Sequence, residues 1–136
     1  MAHCPYKAVR VEAVEIDQVN ILQASLLAMA RSLALMELSI DHALVDGNKL
    51  PHDLPCPATA VIKGDDVSRT IAAASIVAKV TRDRIMADLA VEHPHYGWER
   101  NAAYPTKEHM DALKVHGVTE HHRKTFAPVR KALTGL

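Results

Sequence analysis

Ala43-Leu44-Val45-Asp46-Gly47 and Ala60-Val61-Ile62-Lys63-Gly64-Asp65 decide the fold of this chain. Each is a short apolar, β-branched run ending in an aspartate beside a glycine, the pattern of a buried strand that delivers a carboxylate at its C-terminal end. Neighbouring parallel strands lie about 4.8 Å apart, which brings two such carboxylates within bridging distance of divalent cations. Two aspartates that close repel each other. A hard ion such as Mg2+ or Mn2+ removes the repulsion, keeps several of its waters and binds a phosphate oxygen. Taken one at a time, Asp46 equally well starts an Asp-Gly turn and Asp65 equally well caps the next helix.

Working outward, Asp17 precedes a segment, residues 18–38, in which Ile21, Leu22, Leu26, Met29, Leu33 and Met36 recur at spacings of three and four. That is an amphipathic helix. It leads into a strand over 42–45, a Pro-rich connection through Pro51, Pro55 and Pro57, and a strand over 59–62, an order that favours parallel pairing. A helix over about 68–91 follows, with Ala72, Ala73, Ala74, Ser75 and Ala78 in its first turns implying close approach to the sheet or to a ligand. His93-Pro94 ends it, because proline disfavours helical geometry at the residue before it. After a loop through Tyr96-Gly97-Trp98, Thr106 caps a short helix that runs to His116-Gly117.

With 136 residues, 49% of them apolar, and a formal charge of zero, the chain reads as one globular domain. Cys4 and Cys56 lack metal-ligand spacing and fit free thiols in a reducing compartment, so a cytoplasmic protein is expected. Neither a membrane span nor an export signal is indicated. Charge neutrality disfavours broad polyanion binding and makes any nucleic-acid contact local. The one basic patch is Glu120-His121-His122-Arg123-Lys124-Thr125-Phe126. Adjacent histidines point different ways on a helix and no further Cys or His stands at ligand spacing, so a solvated helix face or a phosphate contact is expected there rather than zinc.

Five motifs in order, Leu44-Val45-Asp46-Gly47-Asn48, Val61-Ile62-Lys63-Gly64-Asp65, Ala73 through Asp83, Tyr104-Pro105-Thr106 and His116-Gly117, resemble ribonuclease HII, the bacterial type 2 ribonuclease H. The resemblance is dense over 15–133. It implies an α/β chain with a partial ribonuclease H-like fold: two parallel strands flanked by several helices, residues 6–11 as a candidate third strand, and a helix-rich C-terminal part. It further implies a site of four acids around two Mg2+ or Mn2+ ions, in which Asp46 and Asp65 match the third and fourth. Tyr104 matches the family tyrosine that packs on the sugar at a DNA-RNA junction, a contact its ring and hydroxyl suit; the residue alone equally reads as a loop aromatic covering the core. Lys63 stands two residues before Asp65, where its charge favours that carboxylate's ionised form or meets phosphate. Ser75 and Lys79, one helical turn apart, face one way and either reach the substrate backbone or form a solvated stripe. Asp83 reads as structural.

The sequence departs from the family pattern in two places. The Asp-Glu pair of an early strand and the Gly-Arg-Gly loop that reads the ribose 2′-hydroxyl have no counterpart in residues 1–136, and residues 1–5 are too short to supply two more strands. Ala103 stands where the family usually has glycine. Three functions follow as expectations. One is hydrolysis of the RNA strand of RNA-DNA hybrids, or nicking at ribonucleotides embedded in DNA, impaired in this chain alone. Another is a noncatalytic or split fragment that needs an N-terminal partner or self-associates. The last is a helical interaction module without metal dependence.

Overall fold

The computed structural model describes residues 4–135; Met1, Ala2 and His3, part of the short N-terminal stretch discussed above, and Leu136 lie outside the described residues. Two strands and seven helices follow in the order α1 (Ala13–Val19), α2 (Ile21–Ala34), β1 (Ala43–Asp46), β2 (Ala58–Val61), α3 (Gly64–Val67), α4 (Arg69–Glu92), α5 (Trp98–Asn101), α6 (Lys107–His116) and α7 (Ala127–Thr134). The described residues fall into two compact units, one of residues 4–11 and 19–78, the other of 12–18 and 79–135.

In the first unit β1 and β2 pair in parallel, with Ala43 opposite Ala58 and Asp46 opposite Val61. The ladder closes at its top through Gly47 N–H donating to Val61 O at 2.9 Å. The strands are not buried on both faces as their apolar runs suggest. Val45 is 4% exposed but Leu44 is 47% exposed, so β1 alternates in and out as a one-faced strand does. Residues 6–11 form no strand. Their two valines find no ladder to join among the described residues, and Lys7 instead pairs with Glu37 at 3.5 Å.

The helix expected over 18–38 is two helices. Asn20 breaks it with a φ of 75° and caps α2, its Oδ1 accepting from Gln23 N–H at 3.0 Å. Asparagine makes a good cap, while the apolar period runs through the break undisturbed. Asp17 therefore lies within α1 and is not a cap. The small residues of α4 do not all mark close approach either, since Ala73, Ala74 and Ala78 are exposed, and Ile71 is the residue of that stretch that is buried.

The second unit closes around Tyr96 and Trp98, stacked with ring centroids 5.0 Å apart, with Ala90, Ala112, Leu113 and Val129 buried against them. Proline and glycine chemistry places the pair: Pro94 follows the end of α4, and Gly97 takes a φ of 67° where a Cβ would meet the Glu108 carboxylate at 2.7 Å. Thr106 caps α6 as read, its Oγ1 accepting from His109 N–H at 3.3 Å, and Gly117 ends it with a φ of 81°.

Ala102 and Ala103 both adopt left-handed backbone, with φ of 48° and 66°. Alanine pays for its Cβ in this region by about 1–2 kcal/mol. The substitution Ala103→Gly should therefore raise stability by about 0.5–1 kcal/mol, whereas the same change at an unstrained site lowers it. Urea unfolding measures the sign, and destabilisation would show that the methyl's packing outweighs the strain.

Candidate functional site

Asp46 is the last residue of β1, exposed, and its Oδ1 accepts from Gly64 N–H at 2.8 Å. Gly64 is buried, and a Cβ on it would lie 2.6 Å from Ile71 Cδ1 and 3.1 Å from Asp46 Oδ1. Only glycine lets the backbone come this close to the carboxylate. Asp65, the next residue, is exposed in the first turn of α3. It does not sit at the end of a strand as its sequence suggests. The ladder stops where Val61 meets Asp46, and Ile62 and Lys63 turn the chain, Lys63 with a φ of 50°, before α3 starts. A hydrogen bond thus holds the Asp46 carboxylate against the residue that immediately precedes Asp65.

Lys63 is exposed at the start of α3, and Ser75 is half-buried on α4. Lys79, one turn further, is exposed but not unengaged: its Nζ donates to Asp83 Oδ2 at 2.7 Å, and that hydrogen bond and charge hold its ammonium above its usual range. In the second unit, Tyr104 is 66% exposed, so it does not cover the core. Its backbone is held tightly, with Tyr104 N–H donating to Asn101 O at 2.9 Å and Tyr104 O accepting from Thr106 N–H at 2.8 Å. Arg82 donates to Ala102 O at 2.6 Å and places its guanidinium 5.6 Å from the Tyr104 ring centroid.

A buried imidazole chain reaches the same residue. Thr119 N–H donates to His122 Nδ1 at 3.0 Å, which leaves the proton on His122 Nε2, 3.2 Å from His109 Nε2. His109 Nε2 also accepts from the Trp98 indole N–H at 3.2 Å, so His109 carries its proton on Nδ1 and donates to Tyr104 O at 3.1 Å. Burial first, then His109 and His121, lower the His122 pKa from 6.5 to about 4. The basic patch around His122 is not a helix; residues 119–126 form turns and bends, in which His122 is buried while Glu120, Lys124 and Thr125 are exposed. Asp17 ties that segment down, accepting from Lys124 N–H at 2.9 Å, Thr125 N–H at 3.0 Å and the Thr125 hydroxyl at 2.7 Å. Burial pushes its carboxyl up, but these hydrogen bonds hold it below its usual range. None of Asp17, His109 and His122 stands out in the sequence as a site residue. His109 alone carries a signal, the phase it shares with the buried Ala112 and Leu113 on α6.

The fold is that of a ribonuclease H-like α/β protein. The chain resembles the crystal structure of the ribonuclease H2 from Pyrococcus horikoshii OT3 with a TM-score of 0.74 at 22% identity, over 92% of this chain and 66% of that one. The sequence model of the Ribonuclease HII family matches residues 3–129, and the chain belongs to that family. Ribonuclease HII of Magnetococcus marinus is 57% identical over 88% of this chain and 57% of its own length. That of Rhodospirillum rubrum is 62% identical over 88% of this chain and 54% of its own length. The chain spans little more than half the length of these curated relatives.

Gly64→Ala should cost about 1–3 kcal/mol, because the added methyl must displace Ile71 or the Asp46 carboxylate; unchanged urea stability would mean that Ile71 yields freely. A second expectation concerns acid. His122 binds its proton more weakly folded than unfolded, so the stability it contributes is complete above about pH 6.5 and falls as pH drops toward 4. His122→Gln should flatten stability between those values, while the loss from Asp17 lies below its usual 3.8 and should remain. An equal slope in wild type and variant would refute the buried neutral imidazole.

Proposed function

We propose that Asp46 and Asp65 are the third and fourth acids of a ribonuclease HII-type two-metal site, holding Mn2+ or Mg2+. The reaction is hydrolysis of the RNA strand of RNA-DNA hybrids, or nicking of DNA at embedded ribonucleotides, in replication and repair. The observation that carries this reading is the 2.8 Å hydrogen bond from Gly64 N–H to Asp46 Oδ1, which fixes one carboxylate beside the residue that precedes the other. Bound cations would supply an activated water and stabilise the leaving 3′-oxygen. The chain's own residues bind and orient. Asp46 and Asp65 are exposed residues, Lys63 and Ser75 lie in the same unit as phosphate contacts, and Lys79 contributes once released from Asp83. Tyr104 presents an exposed ring to a sugar. The two units together represent one family domain in this reading, and free Cys4 and Cys56 fit a cytoplasmic setting. No helix among the described residues is long and apolar enough to cross a membrane.

A second reading is favoured by a specific feature. Leu44, Ile62, Val67 and Ile76 of the first unit are 47%, 70%, 69% and 64% exposed, an apolar surface of the kind that partners cover. In this reading the family's first two acids and Gly-Arg-Gly loop come from another segment, in a longer chain or in a separate or second molecule, and residues 1–136 alone are a weakly active or noncatalytic part. With two acids in place of four, loss of preorganised metal geometry would impair turnover in this reading.

Calorimetric titration with Mn2+ should show binding that Asp46→Asn and Asp65→Asn each abolish, and a peptide bearing the missing acids should restore Mn2+-dependent nicking of a ribonucleotide-containing duplex. Binding without restored nicking would favour the noncatalytic part. Nicking that persists in complemented Asp46→Asn protein would remove Asp46 from the site.

A further inference from the structure

We infer that Glu92, His93 and His121 form a binding site for a borderline transition-metal cation of the Zn2+ class. Glu92 is the last residue of α4, His93 follows it, and His121 stands in the turn before α7. Twenty-eight positions of sequence separate the two histidines, so no local spacing announces the cluster. In the folded unit one ligand atom from each residue lies within 4.8 Å of the other two. The imidazoles meet edge to face, with centroids 5.3 Å apart and an interplanar angle of 72°.

The independent sign of a missing partner is His121 Nε2, a buried ring nitrogen with no hydrogen bond. Glu120 Oε1 lies 3.5 Å from it without forming one, which adds a second carboxylate to the surroundings of the cluster. A buried polar atom left unpaired is unfavourable, and the neighbouring His122, by contrast, has both ring nitrogens bonded.

Two imidazole nitrogens and a carboxylate oxygen select for Zn2+, Co2+ or Ni2+ over the hard ions that suit an all-oxygen set. Tetrahedral zinc with bonds of about 2.0–2.1 Å needs donors roughly 3.3 Å apart. The exposed Glu92 side chain and half-buried His93 can close the remaining distance by changing rotamer, and water fills the fourth position. A cation here clips the end of α4 to the 119–126 turn within one unit, so it stabilises the folded state by mass action.

Trp98, the only tryptophan in the chain, is a built-in reporter, its ring centroid 5.6 Å from that of His93 and 6.3 Å from that of His121. The experiment is a Co2+ titration of the full chain carrying Asp46→Asn and Asp65→Asn, read by Trp98 fluorescence and by cobalt's visible absorption, with Zn2+ added as competitor. We expect one equivalent of Co2+ to quench Trp98, Zn2+ to reverse it, and His93→Gln or Glu92→Gln to weaken binding at least about tenfold. These two substitutions sit at a helix end, so they leave a folded protein if His121→Ala does not. Zn2+ should raise the melting temperature of the parent and not of the His93→Gln protein. Quenching of equal affinity in His93→Gln would overturn the site. So would loss of binding on changing His95 or His116, whose rings stack 3.8 Å apart as a competing pair.

Discussion

The close approach of Gly64 to Asp46 is the constraint on which the first unit depends. Because Gly64 has no side chain, its N–H reaches the Asp46 carboxylate and Ile71 packs into the space that a Cβ would fill. The same contact fixes three elements. It ends β1, begins α3, and sets the first turn of α4, whose Ile71 N–H is in turn capped by Ser68 Oγ at 3.3 Å. One oxygen of Asp46 accepts the backbone amide, and that hydrogen bond fixes the orientation of the whole carboxylate at the end of β1.

In the second unit the equivalent constraint is a buried polar chain. Thr119, His122, His109 and Tyr104 are linked donor to acceptor, with the Trp98 indole joining at His109. Each ring nitrogen has one role, so the network is satisfied only when both imidazoles are neutral and each holds one tautomer. Networks of this sort fix a single arrangement because any defect leaves a buried group unpaired. Its outlet is the carbonyl of Tyr104. That explains how a tyrosine two-thirds exposed can still be placed accurately, on a loop that begins with two alanines in strained left-handed backbone.

What the sequence disclosed and what it withheld divide by range. The two strands, their parallel pairing, α4 and α6 were legible, because each is announced locally: β-branched runs closed by Asp-Gly or Gly-Asp, a proline after His93, and a Thr106 cap answered by Gly117. The break at Asn20 was not, since a polar residue between two apolar turns leaves the helical period intact. Residues 6–11 carry β-branched valines yet stay irregular, because a strand is made by its partner as much as by its own propensity. Asp46 stands at the end of its strand as read, while the position of Asp65 in α3 rather than at a strand end depended on where the ladder stopped. Asp17 bonding Thr125, and His93 meeting His121, are contacts between distant positions that no short pattern encodes.

The apolar surface of the first unit is not independent of its acids. In a strand, residues two apart share a face, and Leu44 and Asp46 are the two exposed positions of β1. Ile62 is exposed immediately after β2, and Val67 ends the short helix that carries Asp65. Each of these side chains contributes about 1.5–3 kcal/mol when fully buried, so whatever segment covers them gains most of its binding energy from residues that flank the carboxylates. In the two-metal reading proposed above, a segment that covers these side chains would bring any acid it bears toward the end of β1 that carries Asp46, so that covering the apolar residues and completing the proposed site would go together.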